Sequence, residues 1–586
     1  MRAWGWRGAL ALMALAALWT LRPAQAETPT ALGGMLVGQV FDAQGQPVDG
    51  ARVWLALGAE EETVLSETET QPDGSFALRL PASIPYGDAG SAPRGQVALR
   101  VWEDIPSGLP VVLGVSRDHF EARLIPLSGE QVGTLRGGEI LELPPVSLQR
   151  HIGIAFWTAS LIFVGVLFLI ASGKMHNTLA TLTGAALVFA VSYLGDLLVP
   201  EVRIFDFEAA LRYVDWNVIF LILGMMIVIA VVERTGIFQW MAYRAYRVSG
   251  GRLWLLLPIL MLITGVASAF LDNVTTMLLM TPITIQIALA VGADPLALLL
   301  PEVFASNVVG ISTLIGTPTN ILIGSYAGIS FNDFLHNLTP GVALAFVGLI
   351  AYSEWVYREE LHGTGRASPL LLQKLSARAR ITDPDHLRKA GWVGAGMLLL
   401  FAVGERIHLL PAVTALMGAT ALLVWIRPDI EEMIEAVDWT TLVFFITLFI
   451  VVGAIREVGV IAWLAARIGE MVGGNLPLAM GVVLWSAALL STVIPNIPFT
   501  AAMLPVIGYL TNTIPGADNL VLFYCLSVGA AMGGNGSLIG ASANLVTAGI
   551  AERAGYPVTY REFLKRGLPA LLLTVGLAMA WLWLRF

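Results

Sequence analysis

Four short polar stretches interrupt an otherwise apolar chain, and their residue types suit the binding of a hard cation. Two are Asp272-Asn273-Val274-Thr275-Thr276 and Pro495-Asn496-Ile497-Pro498-Phe499-Thr500. The other two are longer and rich in glycine. Gly310 to Asn320 contains Ser312, Thr313, Gly316, Thr317 and Pro318, and Gly533 to Asn544 contains Asn535, Ser537, Gly540 and Ser542. Glycine and proline unwind a helix. The carbonyls this frees, together with Asn, Ser and Thr oxygens, can coordinate sodium, and the N-terminus of the half-helix that follows can face an anion. Unsatisfied backbone at membrane depth is tolerated only where it is buried in protein or lines a cavity, so the breaks themselves point to a cavity.

Asp272 is the sharpest single residue, because a carboxylate at that depth is costly and functional by default. Its expected role is sodium ligand or proton carrier, or the cap of the helix that follows. The candidate ion and substrate contacts are Asp272, Asn273, Thr275, Thr276, Thr313, Gly316, Thr317, Asn320, Asn496, Thr500, Asn535, Ser537, Gly540, Ser542 and Asn544. Sodium is placed at Asp272, Asn273, Thr313, Asn496, Thr500 and Ser537. Each of the uncharged residues could instead join helix to helix. Glu302, upstream of the first glycine-rich break, is a relay group or a residue near the interface.

The elements that must hold these residues are membrane helices. Of 586 residues 56% are hydrophobic and 13% charged, about half the ~25% charged share of a soluble domain. The mean hydropathy is +0.73. A net charge of −9 argues against nucleic acid as a partner. The single cysteine, Cys525, excludes an intramolecular disulfide and a cysteine-cluster metal site. Apolar runs predict spans at 152–172, 177–199, 215–233, 294–328 (interrupted), 338–357, 391–405, 411–427, 439–456, 519–550 (interrupted) and 567–584. Two further runs, 252–291 and 475–514, each have a polar middle and are either two helices or one re-entrant hairpin.

The two halves repeat. Val214-Asp215-Trp216 returns as Val437-Asp438-Trp439, 223 residues on, and Asn273 and Pro282 return as Asn496 and Pro505 at the same spacing. Ser312 to Gly316 maps onto Gly536 to Gly540 and Asn320 onto Asn544, now 224 apart. An odd number of crossings separates the copies, so they point in opposite directions. Inverted repeats with interrupted helices are the architecture of secondary transporters, with the site at midplane.

The N-terminal quarter differs. Residues 1–26 read as a signal peptide, with Arg2 and Arg7, an apolar middle and Ala24-Gln25-Ala26. Residues 27–150 hold 17 acidic residues, 8 arginines and no lysine, and their short apolar alternations between turns predict a small antiparallel β-sandwich. With that domain placed in the periplasm, the cytoplasmic side of the inner membrane receives 17 of the later Lys and Arg residues and the outer side 6, in accord with the positive-inside rule. The expected division is a periplasmic domain at 27–150, a first repeat at 151–357, a basic cytoplasmic linker at 358–389 and a second, inverted repeat at 390–586.

Ser268-Ala269-Phe270-Leu271-Asp272-Asn273-Val274-Thr275-Thr276-Met277-Leu278-Leu279, Asn496-Ile497-Pro498-Phe499-Thr500-Ala501-x-Met503 and Gly533 to Asn544 resemble the ion transporter superfamily. Within it they resemble the melanosomal P protein branch, alongside arsenite-pump membrane subunits, sodium/proton antiporters and divalent-anion/sodium symporters. The N-terminal stretch resembles carboxypeptidase-regulatory-like domains through Gly38-x-Val40, Gly45-x-Pro47-Val48, Gly50-Ala51-x-Val53 and Asp73-Gly74-x-Phe76. The resemblance implies a polytopic α-helical fold with two re-entrant hairpins, two broken helices, a scaffold that dimerises and an elevator-like motion. The chain departs from it at Pro495, where Asp-Asn-Ile-Pro is expected, and at Gly316-Thr317-Pro318-Thr319-Asn320, where Gly-Asp-Pro-Pro-Asn is expected. Two midplane carboxylates are thereby absent, which leaves Asp272 more of any coupling role.

The expected function is secondary transport of an inorganic ion or small anion, with sodium or protons as the coupling ion and no other cofactor. An uncoupled anion channel and the membrane subunit of an arsenite-type pump are the alternatives; the chain has no phosphate-binding G-x-x-x-x-G-K-[ST] of its own. A hydrolase is disfavoured because Ser537 has no evident membrane histidine, lysine or second aspartate paired with it.

Overall fold

The computed structural model describes residues 34–586 apart from 44, 58–62, 81–82, 87–97, 102–109 and 363–379. The expected signal peptide and the middle of the basic linker lie outside the described residues. The chain divides into two compact units, Met1–His151 and Ile152–Phe586.

The first unit is a β-domain. Among the described residues its strands are β1 (Met35–Asp42), β2 (Arg52–Leu57), β3 (Thr63–Glu69), β4 (Ser75–Arg79), β5 (Ser83–Tyr86), β6 (Ala98–Val101), β7 (Val111–Ser116), β8 (Arg123–Pro126), β9 (Ile140–Glu142) and β10 (Val146–Leu148), with a helix, α1 (Gly129–Arg136), before β9. One sheet runs β3-β2-β7-β8 and the other centres on β1. Their apolar faces share a core of Leu36, Val40, Val53, Leu55, Phe76, Leu78, Leu113 and Val115. The sandwich is not wholly antiparallel: β1 pairs antiparallel with β4 but parallel with β9 and β10. Parallel partners cannot be joined by a short turn, and here the chain from β2 to α1 lies between β1 and β9.

The second unit is helical. Its helices are α2 (Ile154–Ala171), α3 (Asn177–Ala190), α4 (Trp216–Arg234), α5 (Ile237–Ser249), α6 (Leu253–Phe270), α7 (Asn273–Val291), α8 (Leu296–Val309), α9 (Pro318–Ala327) and α10 (Phe331–Val356). There follow α11 (Pro384–Val403), α12 (Pro411–Ile426), α13 (Trp439–Glu457), α14 (Val460–Val472), α15 (Leu476–Leu490), α16 (Asn496–Thr513), α17 (Val521–Gly533), α18 (Ser542–Arg553) and α19 (Tyr560–Arg585). Among the described residues nine helices are long and apolar enough to cross a membrane.

The second set retraces the first. Asp215 caps α4 by accepting from the Asn217 and Val218 N–H groups, and Asp438 caps α13 by accepting from Thr441 N–H. Each cap satisfies donors that a helix start leaves orphaned. Both helices end at a left-handed glycine, Gly236 (φ 76°) and Gly459 (φ 89°), which turns the chain into the amphipathic helices α5 and α14. Those two helices were not foreseen among the spans, because their apolar residues form only one stripe. Helices α10, α11 and α19 start about seven residues before the expected apolar runs. Their first turns are polar but well capped, by Ser330 with Asp333, by Asp383 before Pro384, and by Thr559.

Helices α6 and α7 form one hairpin, and α15 and α16 the other. Each tip meets the break of a glycine-rich helix, α8–α9 or α17–α18. The Thr313 hydroxyl donates to the Ala269 carbonyl, and Ser537 donates to Thr492. The breaks lie midway along their helices, so the tips lie at mid-depth and the hairpins are re-entrant.

Candidate functional site

The breaks unwind because they must fit against the hairpins. A Cβ on Gly316 would strike the Gly310 and Ser268 carbonyl oxygens; one on Gly540 would strike those of Gly534 and Ser491. In each break one asparagine takes up the freed carbonyls. The Asn320 amide donates to Ile311 O (2.9 Å) and Thr313 O (2.8 Å). The Asn544 amide donates to Gly534 O (2.7 Å) and Ser537 O (2.9 Å). Each asparagine oxygen is then held from the other repeat, Asn320 by the Ser527 hydroxyl at 2.6 Å and Asn544 by the Asn307 amide at 3.0 Å.

Asn307, which the sequence did not single out, is the hub of this network. It accepts from Asn273 (2.9 Å) and donates to Asn535 (2.9 Å), tying the first hairpin tip to the second break. Its only signal was its place one turn before a glycine-rich break. Asn273, Thr313, Thr317, Asn320, Asn496, Thr500, Asn535, Ser537 and Asn544 are all buried. The Thr317 hydroxyl accepts from Asn320 N–H as the cap of α9. The Thr276 and Thr500 hydroxyls, in the first turns of α7 and α16, are buried without a hydrogen-bond partner.

A cavity of about 740 Å³ reaches from the hairpin tips to one end of the bundle. Of the expected contacts, Asp272, Thr275 and Ser542 line it, and the others do not. Both tips and both breaks contribute, through Asp272, Val274, Pro495, Ile497, Ile315 and Ile539. One Asp272 oxygen accepts from the Val274 (2.8 Å) and Thr275 (2.9 Å) N–H groups and the other from the Thr275 hydroxyl, so the residue caps α7 at the cavity wall. Toward the end of the bundle the lining includes Lys174, His176, Thr178, Glu233, Asp438 and Thr440. These had not been assigned to the site; Asp438 had been visible only as a landmark of the repeat. Thr178 donates to Thr440 O at 2.9 Å, joining α3 to α13 at this mouth.

Residues 166–522 match the model of a family described as citrate transporter. The chain is 36% identical over 72% of its length to an uncharacterized transporter of Mycobacterium tuberculosis, covering 97% of that protein. It is 33% identical to an uncharacterized transporter of Synechocystis, with 72% of this chain and 96% of that one covered. It is also 32% identical to the human P protein, over 72% of this chain and 59% of that one. The crystal structure of the YdaH transporter of Alcanivorax borkumensis, reported as having an unusual topology, superposes with a TM-score of 0.50 at 14% identity, over 70% of this chain and 99% of that one, which is likeness of fold alone. The hairpins, the broken helices and these matches lead to one conclusion: the chain belongs to the citrate transporter family of membrane transporters.

Proposed function

We propose that the protein is a secondary active carrier of the bacterial inner membrane. It moves a small inorganic ion by alternating access in an elevator-like motion, coupled to sodium or protons. The observation that carries this reading is a cavity that both hairpin tips and both breaks line, with Asp272 at its inner wall. A site between two inverted halves can be exposed to either side by moving one part against another. Asp272 and Thr275 are the side chains offered to the coupling ion. Among the described residues the cavity lining carries Asp272 at its inner wall and Glu233 and Asp438 at its mouth, against Lys174 and His176, and no arginine. That balance favours a cation or proton at this site over the tricarboxylate that the family's description mentions, since an arginine fork is the usual partner of a carboxylate. The mouth lies on the side that the positive-inside count assigns to the cytoplasm, which makes this conformation the inward-open one.

The test is flux in liposomes under imposed sodium and proton gradients, with citrate added in a separate arm. Uptake driven by either cation gradient supports the reading. Conductance down the transported ion's own gradient, indifferent to sodium and proton gradients, would replace it with a channel. Citrate uptake that needs neither Asp272 nor Asp438 would move the substrate site elsewhere.

A further inference from the structure

Glu302 sits in the middle of α8, and the hairpin cavity does not include it. It is fully buried. One carboxyl oxygen accepts from the Thr264 hydroxyl of α6 at 3.4 Å, a long bond. Thr284 of α7 also acts on the carboxyl, yet neither the second carboxyl oxygen nor the Thr284 hydroxyl has a well-formed hydrogen-bond partner. No charged side chain among the described residues acts on it. Of the helices packed on α8, the bodies of α6, α7 and α17 carry no charge. The charges of α10 are Asp333 and Glu354, and those of α18 are Glu552 and Arg553, all at least partly exposed at helix ends. Those of α19 are Arg561, Glu562, Lys565 and Arg566 in its first two turns and Arg585 at its end, again at least partly exposed.

The inverted repeat supplies an internal control for whether the fold needs this acid. Position by position, Thr264 corresponds to Ala487, Thr284 to Ile507 and Glu302 to Leu526. All three counterparts are buried and apolar. The surrounding matches are close: Ser268 donates to Ser306 O at 3.0 Å and Ser491 to Ala530 O at 2.7 Å, at the same relative positions. The same helix packing is therefore built in one half with an acid and two hydroxyls and in the other with three hydrocarbon side chains. Burying a lone carboxyl is costly where Leu serves as well, so the polar set in the first half answers a need other than packing.

We propose that Glu302 is a proton-binding site of the transport core, loaded and unloaded during the cycle and separate from the ion site at Asp272. The step moves one proton. A carboxylate oxygen takes it from a hydronium ion in water admitted to the pocket, leaving water, and the acid formed donates its hydrogen to the Thr284 hydroxyl. On release the proton returns to water and the carboxylate is regenerated. The same helix carries Asn307, five residues on, which holds the first hairpin tip through Asn273. Occupancy of Glu302 is thus linked by one rigid helix to the tip that bears Asp272. The proposal rests on the carrier reading for its purpose, but its first readout does not depend on flux.

The experiment is infrared difference spectroscopy on the full chain in lipid, alkaline minus acidic, on wild type, Glu302→Gln and Glu302→Leu. Gln reproduces the shape of the neutral acid, and Leu is what the second half carries at the matching position. Wild type is expected to lose the carbonyl stretch of a protonated buried carboxyl group on alkalinisation. Both variants are expected to lack that band and to show proton-driven flux reduced to the level of protein-free liposomes. Survival of that same band, at its wild-type frequency and amplitude, in both variants overturns the proposal. So does a Glu302 band that persists at every pH at which the protein stays folded, which would make the residue a permanent neutral acid. If the band titrates and vanishes in the variants while no gradient drives flux in wild type, the proton site stands and the carrier reading falls. If Glu302→Leu fails to fold, Glu302→Gln decides.

Discussion

The two repeats of the membrane unit share their backbone plan and differ in where they put carboxyl groups. Gly316 and Gly540, Thr313 and Ser537, and Ser268 and Ser491 make the same contacts in both halves, and Asn320 and Asn544 share one, to the carbonyl of Thr313 or Ser537. Asp272 and Glu302 occur in one half only, opposite Pro495 and Leu526. What is shared holds each break against its hairpin; what is unshared cannot be required by that packing. The hairpin tips make the point most directly. Helix α7 starts with the Asp272 cap, whereas α16 starts at Pro495 with no side-chain hydrogen bond, and both helices form. A re-entrant helix therefore does not need a carboxylate at its tip, and the first half keeps one at the wall of the cavity.

The largest effect expected from this asymmetry is that of Asp272→Asn. Asparagine keeps an oxygen for the Val274 and Thr275 N–H groups, so the cap and the fold should persist, with a thermal unfolding midpoint in detergent close to that of wild type. Gradient-driven flux should fall to the background of empty liposomes. Pro495→Asp, the mirror change, should leave driven flux in place. Equal loss of flux in both variants would make the tips equivalent and remove the functional argument from Asp272.

A second effect should be equal in the two halves. Gly316→Ala and Gly540→Ala each push a methyl group into two backbone oxygens, and overpacking of this kind costs about 1–3 kcal/mol. Both variants should unfold at lower temperature by similar amounts. Loss confined to one of them would show that the shared glycines are not doing the same work.

The repeat also explains what could be read from the residues alone. The spacing of 223–224 residues between matched Asp, Asn, Pro and Gly positions exposed the inverted halves, the hairpins and the broken helices, because those features are written in local residue types. The cavity was less legible. Glycine-rich motifs marked where the backbone opens, and most of their polar side chains turned out to satisfy that opened backbone: Asn320 and Asn544 spend their amides on freed carbonyls. The mouth residues Lys174, Glu233 and Asp438 come from helix ends far apart in the chain, and only the packing of α3, α4 and α13 brings them together. In the β-domain, alternation pointed to a sandwich of antiparallel strands, but the parallel strands β9 and β10 are each three residues long, too short to show a period.

Asp438 and Asp215 sharpen the comparison at the helix starts. Both cap their helices, but only Asp438 lines the cavity. Asparagine preserves either cap. Asp438→Asn removes a charge near the ion path, and at an exposed mouth that is worth about 1 kcal/mol, roughly fivefold in the KM for a cation. Asp215→Asn should leave KM unchanged. The effect at Asp438 should shrink as ionic strength is raised, since a charge that acts through solvent is screened; a salt-independent change would point to direct ligation instead.

The smallest effect distinguishes the halves by a single hydroxyl. Ser268 and Ser491 each donate to a carbonyl of the neighbouring broken helix, at 3.0 and 2.7 Å. Removing either bond by substitution with alanine should cost about 1 kcal/mol. Ser268 also accepts from the Ser306 hydroxyl at 3.0 Å, while the position matching Ser306 is Ala530. Ser268→Ala therefore strands a second buried hydroxyl, and Ser491→Ala strands none. The expected order of thermal midpoints is wild type, then Ser491→Ala, then Ser268→Ala. The double variant Ser268→Ala with Ser306→Ala should recover part of the difference, because it removes the orphaned hydroxyl along with its lost partner. A double variant no more stable than Ser268→Ala would mean that Ser306 finds another acceptor on its own helix, and the two serines would then count as equivalent members of the shared set.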